Sequence, residues 1–166
     1  MQTIEQQIKE EMDAIKDGIT GITRLVAKKA YEKIVDKSPV WTGSYISSHR
    51  IGINQRSAEG PTYRTPEDPM DVGSFYDPRC SYDEEMWLHG EAIAKSSETS
   101  KLQEPGVIYI SNEVEHSMEV EASPLQYDAY GHGYREAQEV AKVLCEKAKN
   151  VPANCMRIFK SEGIKG

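Results

Sequence analysis

Seven apolar residues at a regular spacing constrain the first fifth of this chain. Ile4, Ile8, Met12, Ile15, Ile19, Ile22 and Val26 recur at steps of four and three. Such steps fall on one stripe only in an α-helix. The spacing predicts a helix from about Thr3 to Asp36, with charged and amide residues on its other faces. Gly18 and Gly21 each weaken a helix by roughly 1 kcal/mol relative to Ala, so a bend or break is expected there. A stripe of this regularity is either a seam for another helix or the underside of a helix lying on its own domain. Both readings stand for the first half, and the second is preferred from Leu25 to Val35. Left exposed, the stripe forms a patch of the kind soluble monomers avoid, and a neighbouring subunit is its natural cover. Ile4, Ile8, Met12, Ile15, Ile19 and Ile22 are therefore the candidate oligomer interface.

The bulk properties narrow the rest. A length of 166 residues suits one domain, or one domain with an arm, and allows a real core. Only 38% of the residues are hydrophobic and the mean hydropathy is -0.63, which keeps that core modest. A net charge of -7 repels phosphate and disfavours ordinary nucleic-acid binding. No apolar run approaches the roughly 20 residues of a membrane span. The first eleven residues are polar and acidic, unlike a signal peptide. Cys80, Cys145 and Cys155 are odd in number, widely spaced and without a Cys-x-x-Cys pair. They read as free thiols of a reducing cytoplasm.

The pattern divides the chain into an N-terminal helix or arm (1–36), a core (37–150) with an exposed insertion (55–79), and a tail (151–166). Pro39 ends the first helix, and Gly43 permits a tight turn. Ile51 and Ile53 alternate with polar or small residues, as in a half-buried strand. Residues 55–79, rich in proline and glycine, read as a long loop ordered by a partner. Ser81 and Glu84 form a capping-box pattern ahead of a helix to about Lys95, with Met86, Trp87, Ile93 and Ala94 as its candidate buried face. A polar connector spans 96–106. Val107 to Asn112 is the clearest strand. Residues 113–130 give no decisive pattern. Gly131 and Gly133 read as a flexible lead into a helix from Tyr134 to Ala148, lined by Ala137, Val140, Ala141, Leu144 and Ala148. A short strand is expected at Met156 to Phe159. The fold class implied is α+β, with a mainly antiparallel sheet.

Motifs for chemistry are scarce. There is no phosphate-binding Gly-rich loop, dinucleotide fingerprint or nucleophile elbow. The densest group of potential metal ligands is Glu113, Glu115, His116, Glu119 and Glu121, which admits a metal-dependent hydrolase as one alternative. An acidic run with one histidine is more simply a solvated face. A Cys80–His89 nucleophile pair has the residue types but no orienting motif. No catalytic residue, metal site or cofactor is therefore expected. A second alternative is a small acidic monomeric binding protein, such as an inhibitor that mimics nucleic acid.

One resemblance joins these pieces. A long helix, then Ser38-Pro39-Val40-Trp41-Thr42-Gly43-Ser44, then a strand resembles the Pro-Val-x-Thr-Gly signature of the tail-completion (neck) proteins of tailed bacteriophages. A later strand ending in Asn, here Val107 to Asn112, belongs to the same layout. The segment Glu113 to Glu121 sits where the family's second signature falls, with His116-Ser117 in place of Tyr-Ala and no Gly after Glu121. The resemblance implies a curved sheet packed by helices in a non-enzymatic protein of the virion neck, assembled in the host cytoplasm. It further implies a ring, commonly hexameric, between the head connector or adaptor and the tail terminator or tail tube. DNA would pass through its lumen without specific binding. Pro39, Thr42 and Gly43 would hold the helix-to-strand turn.

Overall fold

A computed structural model describes residues 3–66, 69–72, 75–122 and 127–148. Its first element is a single helix, α1 (Ile4–Lys37). Thr3 and Gln6 close a reciprocal capping box at its start: Gln6 N donates to Thr3 Oγ1 at 3.3 Å, and Thr3 N donates to Gln6 Oε1 at 3.0 Å. Ser38 ends it in extended geometry, as expected of a residue before proline. The break expected at Gly18 and Gly21 is not there. Both glycines are buried inside a continuous helix.

A short helix, α2 (Ser44–Ser47), precedes strand β1 (His49–Ile53). Two further strands, β2 (Pro69–Val72) and β3 (Phe75–Cys80), pair antiparallel. This hairpin corrects the expectation of a structureless loop up to Arg79. Pro69 opens its strand, and the ladder is irregular between Pro69 and Met70, which is how a strand accommodates a proline. Helix α3 (Tyr82–Ala94) follows, started by Ser81, whose Oγ accepts from Glu84 N at 3.3 Å. It runs on as a 3-10 turn from Lys95 to Lys101, so the expected connector is largely helical. Strand β4 (Ile108–Asn112) pairs antiparallel with β1, placing Ile51 opposite Ile110 and His49 opposite Asn112. The fold closes with α4 (Ser117–Glu121) and α5 (Ala129–Ala148). The architecture is α+β.

Tyr31, Val35, Ile46, Ile51, Cys80, Leu88 and Ala92 form the core cluster, with Val40, Ile53, Ile93, Ile108 and Ile110 packed against it. Each large apolar side chain buried there contributes roughly 1.5–3 kcal/mol. The face of α3 differs from that expected. Leu88 and Ala92 point inward, while Met86, Trp87 and Ala94 are exposed and Ile93 is half-buried. Apolar residues surround most of this helix, so its pattern has no clear phase.

Helix α5 starts five residues before Tyr134 and lies along α1 more extensively than any other pair of described elements pack. Gly133 is in contact with the root of α1. A Cβ there would stand 2.4 Å from Ile34 Cγ1 and 3.0 Å from the Ala30 carbonyl oxygen. Because α1 ends at Lys37, so long a contact requires α5 to run back along α1 toward Gly21. On α5, Leu144 is buried and Ala137, Val140 and Ala141 are half-buried, as the pattern predicts. The side chain of Ala148 and the strand expected at Met156 to Phe159 lie outside the described residues.

Candidate functional site

The two halves of α1 have different surroundings. From Thr3 to Asp17 every residue is exposed except Ala14, which is half-buried. Ile4, Ile8, Met12, Ile15 and Ile19 keep between 48% and 76% of their surface open to solvent. Ile22 and Val26, farther along the stripe, are half-buried against the body. The burial that anchors α1 falls on Gly18, Thr20, Gly21 and Leu25, and farther along the helix on Ala30, Tyr31, Ile34 and Val35. At about 100° per residue, the lines through Ile15/Ile19 and Gly18/Gly21 lie roughly 110° apart on the helix. Where α1 meets the body, the buried positions avoid the Ile15/Ile19 face, which stays uncovered.

At the far end of α1 the proline–glycine segment makes a compact turn. Gly43 has φ 86°, in the left-handed region that favours glycine. A Cβ at Gly43 would also stand 2.6 Å from Leu88 Cδ1. The backbone N of Ser44 donates to Thr42 Oγ1 at 3.4 Å, and Cys80 N donates to Trp41 O at 2.7 Å, tying β3 to the turn. Pro39 follows the last helical turn directly. Pro39, Thr42 and Gly43 thus lie between α1 and α2, and β1 follows only after α2.

Behind this turn stands a hub that sequence reading did not find. His49 is fully buried between the rings of Tyr31, Tyr45 and Tyr130, with centroids 5.1–6.4 Å away. Ser38 Oγ donates to the Ile34 carbonyl at 2.7 Å, so at its 2.7 Å contact with His49 Nε2 it acts as acceptor. His49 Nδ1 is then the acceptor facing Tyr130 OH at 3.1 Å and Asn112 Nδ2 at 3.3 Å. Asn112 Nδ2 also donates to Tyr45 O at 2.9 Å, and its Oδ1 accepts from Val114 N at 3.1 Å. The two oxygens of Glu121 accept from Tyr45 OH and from Tyr130 N. Burial, and then the charges of Lys95 and Arg50, lowers the His49 pKa to about 3. Burial also raises the Tyr31, Tyr45 and Tyr130 phenols well above their ordinary value. At neutral pH the imidazole and the three phenols around it are uncharged. The Ser38 hydroxyl proton is committed to a backbone carbonyl and cannot be drawn off by the imidazole.

The start of the 55–79 insertion is fixed to the same region. Arg50 donates through Nη2 to Gly60 O and Thr62 Oγ1, both at 2.8 Å, and its Nε stands 3.2 Å from Glu59. Thr62 N donates to Ser48 Oγ, and Arg64 N to Ser44 Oγ, both at 2.9 Å. Residues 59–64 therefore dock on this chain's own α2 and β1 rather than waiting on a partner.

The other candidate chemistries are dispersed. His116 caps α4, Glu113, Glu115 and Glu119 are exposed, and Glu121 belongs to the hub. Among the described residues no three His, Cys, Asp or Glu side chains gather to hold a metal ion. Cys80 is in the core, where burial raises its thiol pKa, and His89 pairs with Asp36 at 3.0 Å. A buried thiol with a raised pKa is a poor nucleophile. Cys145 is exposed, and Cys155 lies outside the described residues. No helix among the described residues is long and apolar enough to cross a membrane. No family model matches the chain, and no match was found among the curated proteins or the solved structures.

Proposed function

We propose that this chain is a structural, non-enzymatic protein of the phage neck. It self-associates into a ring, most simply a hexamer, that joins the head connector to the tail and lets DNA pass. It carries no cofactor and acts in the virion after assembly in the host cytoplasm. The observation that carries this reading is the exposed isoleucine face of α1. Five large apolar side chains on a helix that leaves its own body call for a cover that the body does not supply. A contact repeated head to tail closes into a ring when its rotation fits a whole number of copies.

Two further observations support the reading. The two segments that carry the resemblance to tail-completion proteins adjoin in space: Asn112, at the end of β4, donates to Tyr45 O just after the Gly43 turn. The net charge of -7 suits a lumen that repels DNA phosphate and keeps it moving.

Native mass tests the proposal. The wild-type chain should sediment as a closed oligomer of defined copy number. The Ile8→Asp/Ile15→Asp double variant should sediment as a monomer with an unchanged melting transition for the body. A wild type that stays monomeric at high concentration overturns the reading. So does a double variant whose body unfolds, because the stripe would then belong to the internal core.

A further inference from the structure

We infer that the segment Met156 to Phe159 of one copy of this chain adds as a strand to the open edge of β4 in the next copy. The inference rests on the assembly reading above and names a second contact, which reinforces the one the arm makes.

The β1–β4 pair has an open edge. Asn54 N donates to Val107 O at 2.7 Å, which continues the ladder one residue past each strand. Bonded and non-bonded positions alternate in an antiparallel pair, so Val107, Tyr109 and Ser111 turn their backbone groups toward β1. Ile108, Ile110 and Asn112 turn theirs away, and among the described residues no group bonds to those backbone atoms. β1 is buried from His49 to Gly52, whereas no residue of β4 is buried. An unpaired, accessible edge is a template for a strand from another chain. A groove of about 530 Å³ opens beside it, with Ile110, Met118, Ala122 and Tyr130 among its walls.

Charge chooses the occupant. Glu113 and Glu121 line the groove, Glu115 and Glu119 stand exposed on the same stretch, and of the lining residues only Arg56 is basic. The tail is basic where the rest of the chain is acidic. Residues 149–166 hold Lys149, Arg157, Lys160 and Lys165 against the single acid Glu162. Within them Met156-Arg157-Ile158-Phe159 has the strand pattern read from the sequence and is about as long as β4. The β2–β3 hairpin, another source of strands, carries Asp71 and Asp77 and suits an acidic groove less well.

Reach and symmetry favour a neighbour over the tail's own groove. Tyr130 stands at the start of α5 and the tail leaves from its end, about 27 Å away at roughly 1.5 Å per residue. The residues from Ala148 to Met156 span at most about 29 Å. A return along α5 would draw them almost straight. A tail on the next copy's edge instead joins two different surfaces of adjacent bodies. Such a contact repeats head to tail around a ring and places nothing on its axis.

Full-length variants test the inference. Successive residues of a strand turn their N–H groups to opposite sides, so Ile158→Pro/Phe159→Pro removes a bond in either register. This pair should raise the association midpoint, read by analytical ultracentrifugation, about tenfold or more. Arg157→Glu/Lys160→Glu should do the same, and adding Glu113→Lys/Glu119→Lys should return the midpoint to within about threefold of wild type. In a Cys145→Ser background, mild oxidation should link Cys155 to Glu113→Cys or to Val107→Cys of another copy, one for each strand direction. Three results each overturn the tail-to-edge contact: prolines without effect, a charge reversal that the second pair does not restore, or a Cys155 that links to neither site or only within its own copy. In these three cases the assembly reading survives, with the arm as its contact. A wild type that is monomeric throughout removes both.

Discussion

The two ends of α1 differ in what holds them, although both read as regular helix. At the root, Tyr31, Ile34 and Val35 are among the most buried side chains of the protein, with α5 against them and His49 beyond. At the arm, isoleucines of the same hydrophobicity meet solvent. Local sequence fixes the period of a helix, while burial depends on whether another element lies alongside. The body spans only about half the length of α1. The arm's apolar residues thus contribute little to folding and are available for association.

The largest test of this contrast is truncation at each end. Ile34→Ala should destabilise the chain by about 2–5 kcal/mol, since it opens a cavity in a packed region. Ile8→Ala should change monomer stability by less than about 0.5 kcal/mol, because it leaves no cavity. Urea denaturation of dilute protein, below the association midpoint, measures both. Equal losses would erase the distinction between arm and root.

Acid should act on the root and not on the arm. His49 is held neutral in the folded chain with its pKa lowered to about 3, from the ordinary imidazole value of about 6.5. Below pH 6.5 the unfolded chain takes up a proton that the folded chain refuses. The stability from this group is thus complete above that pH and is lost as pH falls toward 3. Roughly 2 kcal/mol should go between pH 7 and pH 5 on this account. The imidazole resonances of His49 should meanwhile show no titration above pH 4 by NMR. A His49 that titrates near 6.5 in the folded protein would contradict the hub.

A smaller effect resolves the hub itself. Tyr130 OH faces His49 at 3.1 Å, whereas the buried Tyr31 OH has no hydrogen-bond partner among the described residues. Tyr130→Phe should cost about 1 kcal/mol or somewhat more, by leaving an imidazole nitrogen poorly paired. Tyr31→Phe should be neutral or slightly stabilising, since it removes a desolvated hydroxyl. Melting temperatures of the two variants check the order, and a reversal would mean that the hydrogen bonds are wrongly placed.

These regions also show what a sequence discloses. The isoleucine stripe, the alternation in β1 and the β-branched run of β4 were legible because each depends on local sequence. Glycines and prolines misled where tertiary contact sets their role. Gly18 and Gly21 suggested a break, yet they are buried in an intact helix. Gly131 and Gly133 suggested a flexible lead, yet α5 includes them, and Gly133 is small because Ile34 occupies the space beside it. The prolines of 69–78 suggested a loop, yet β2 and β3 pair around them. The hub was not legible at all. Ser38, Tyr45, His49, Asn112, Glu121 and Tyr130 come from six separate segments, and no spacing along the chain announces their meeting.

The capping box at Thr3 gives the arm a mechanical role. Its reciprocal bonds keep the first turn wound, so α1 reaches its tip as a rod. From Gly18 to Ile4 that rod is about 21 Å long at roughly 1.5 Å per residue. A tilt of about 10° at Gly18 would carry the tip roughly 4 Å, about two-thirds of the rise of one helical turn. Any such tilt would pivot where the helix meets the body, so the buried Gly18 and Gly21 would stand at its fulcrum. Small repacking at that fulcrum would steer the far end, and mechanical strain arriving at the tip would be felt first at Gly18 and Gly21.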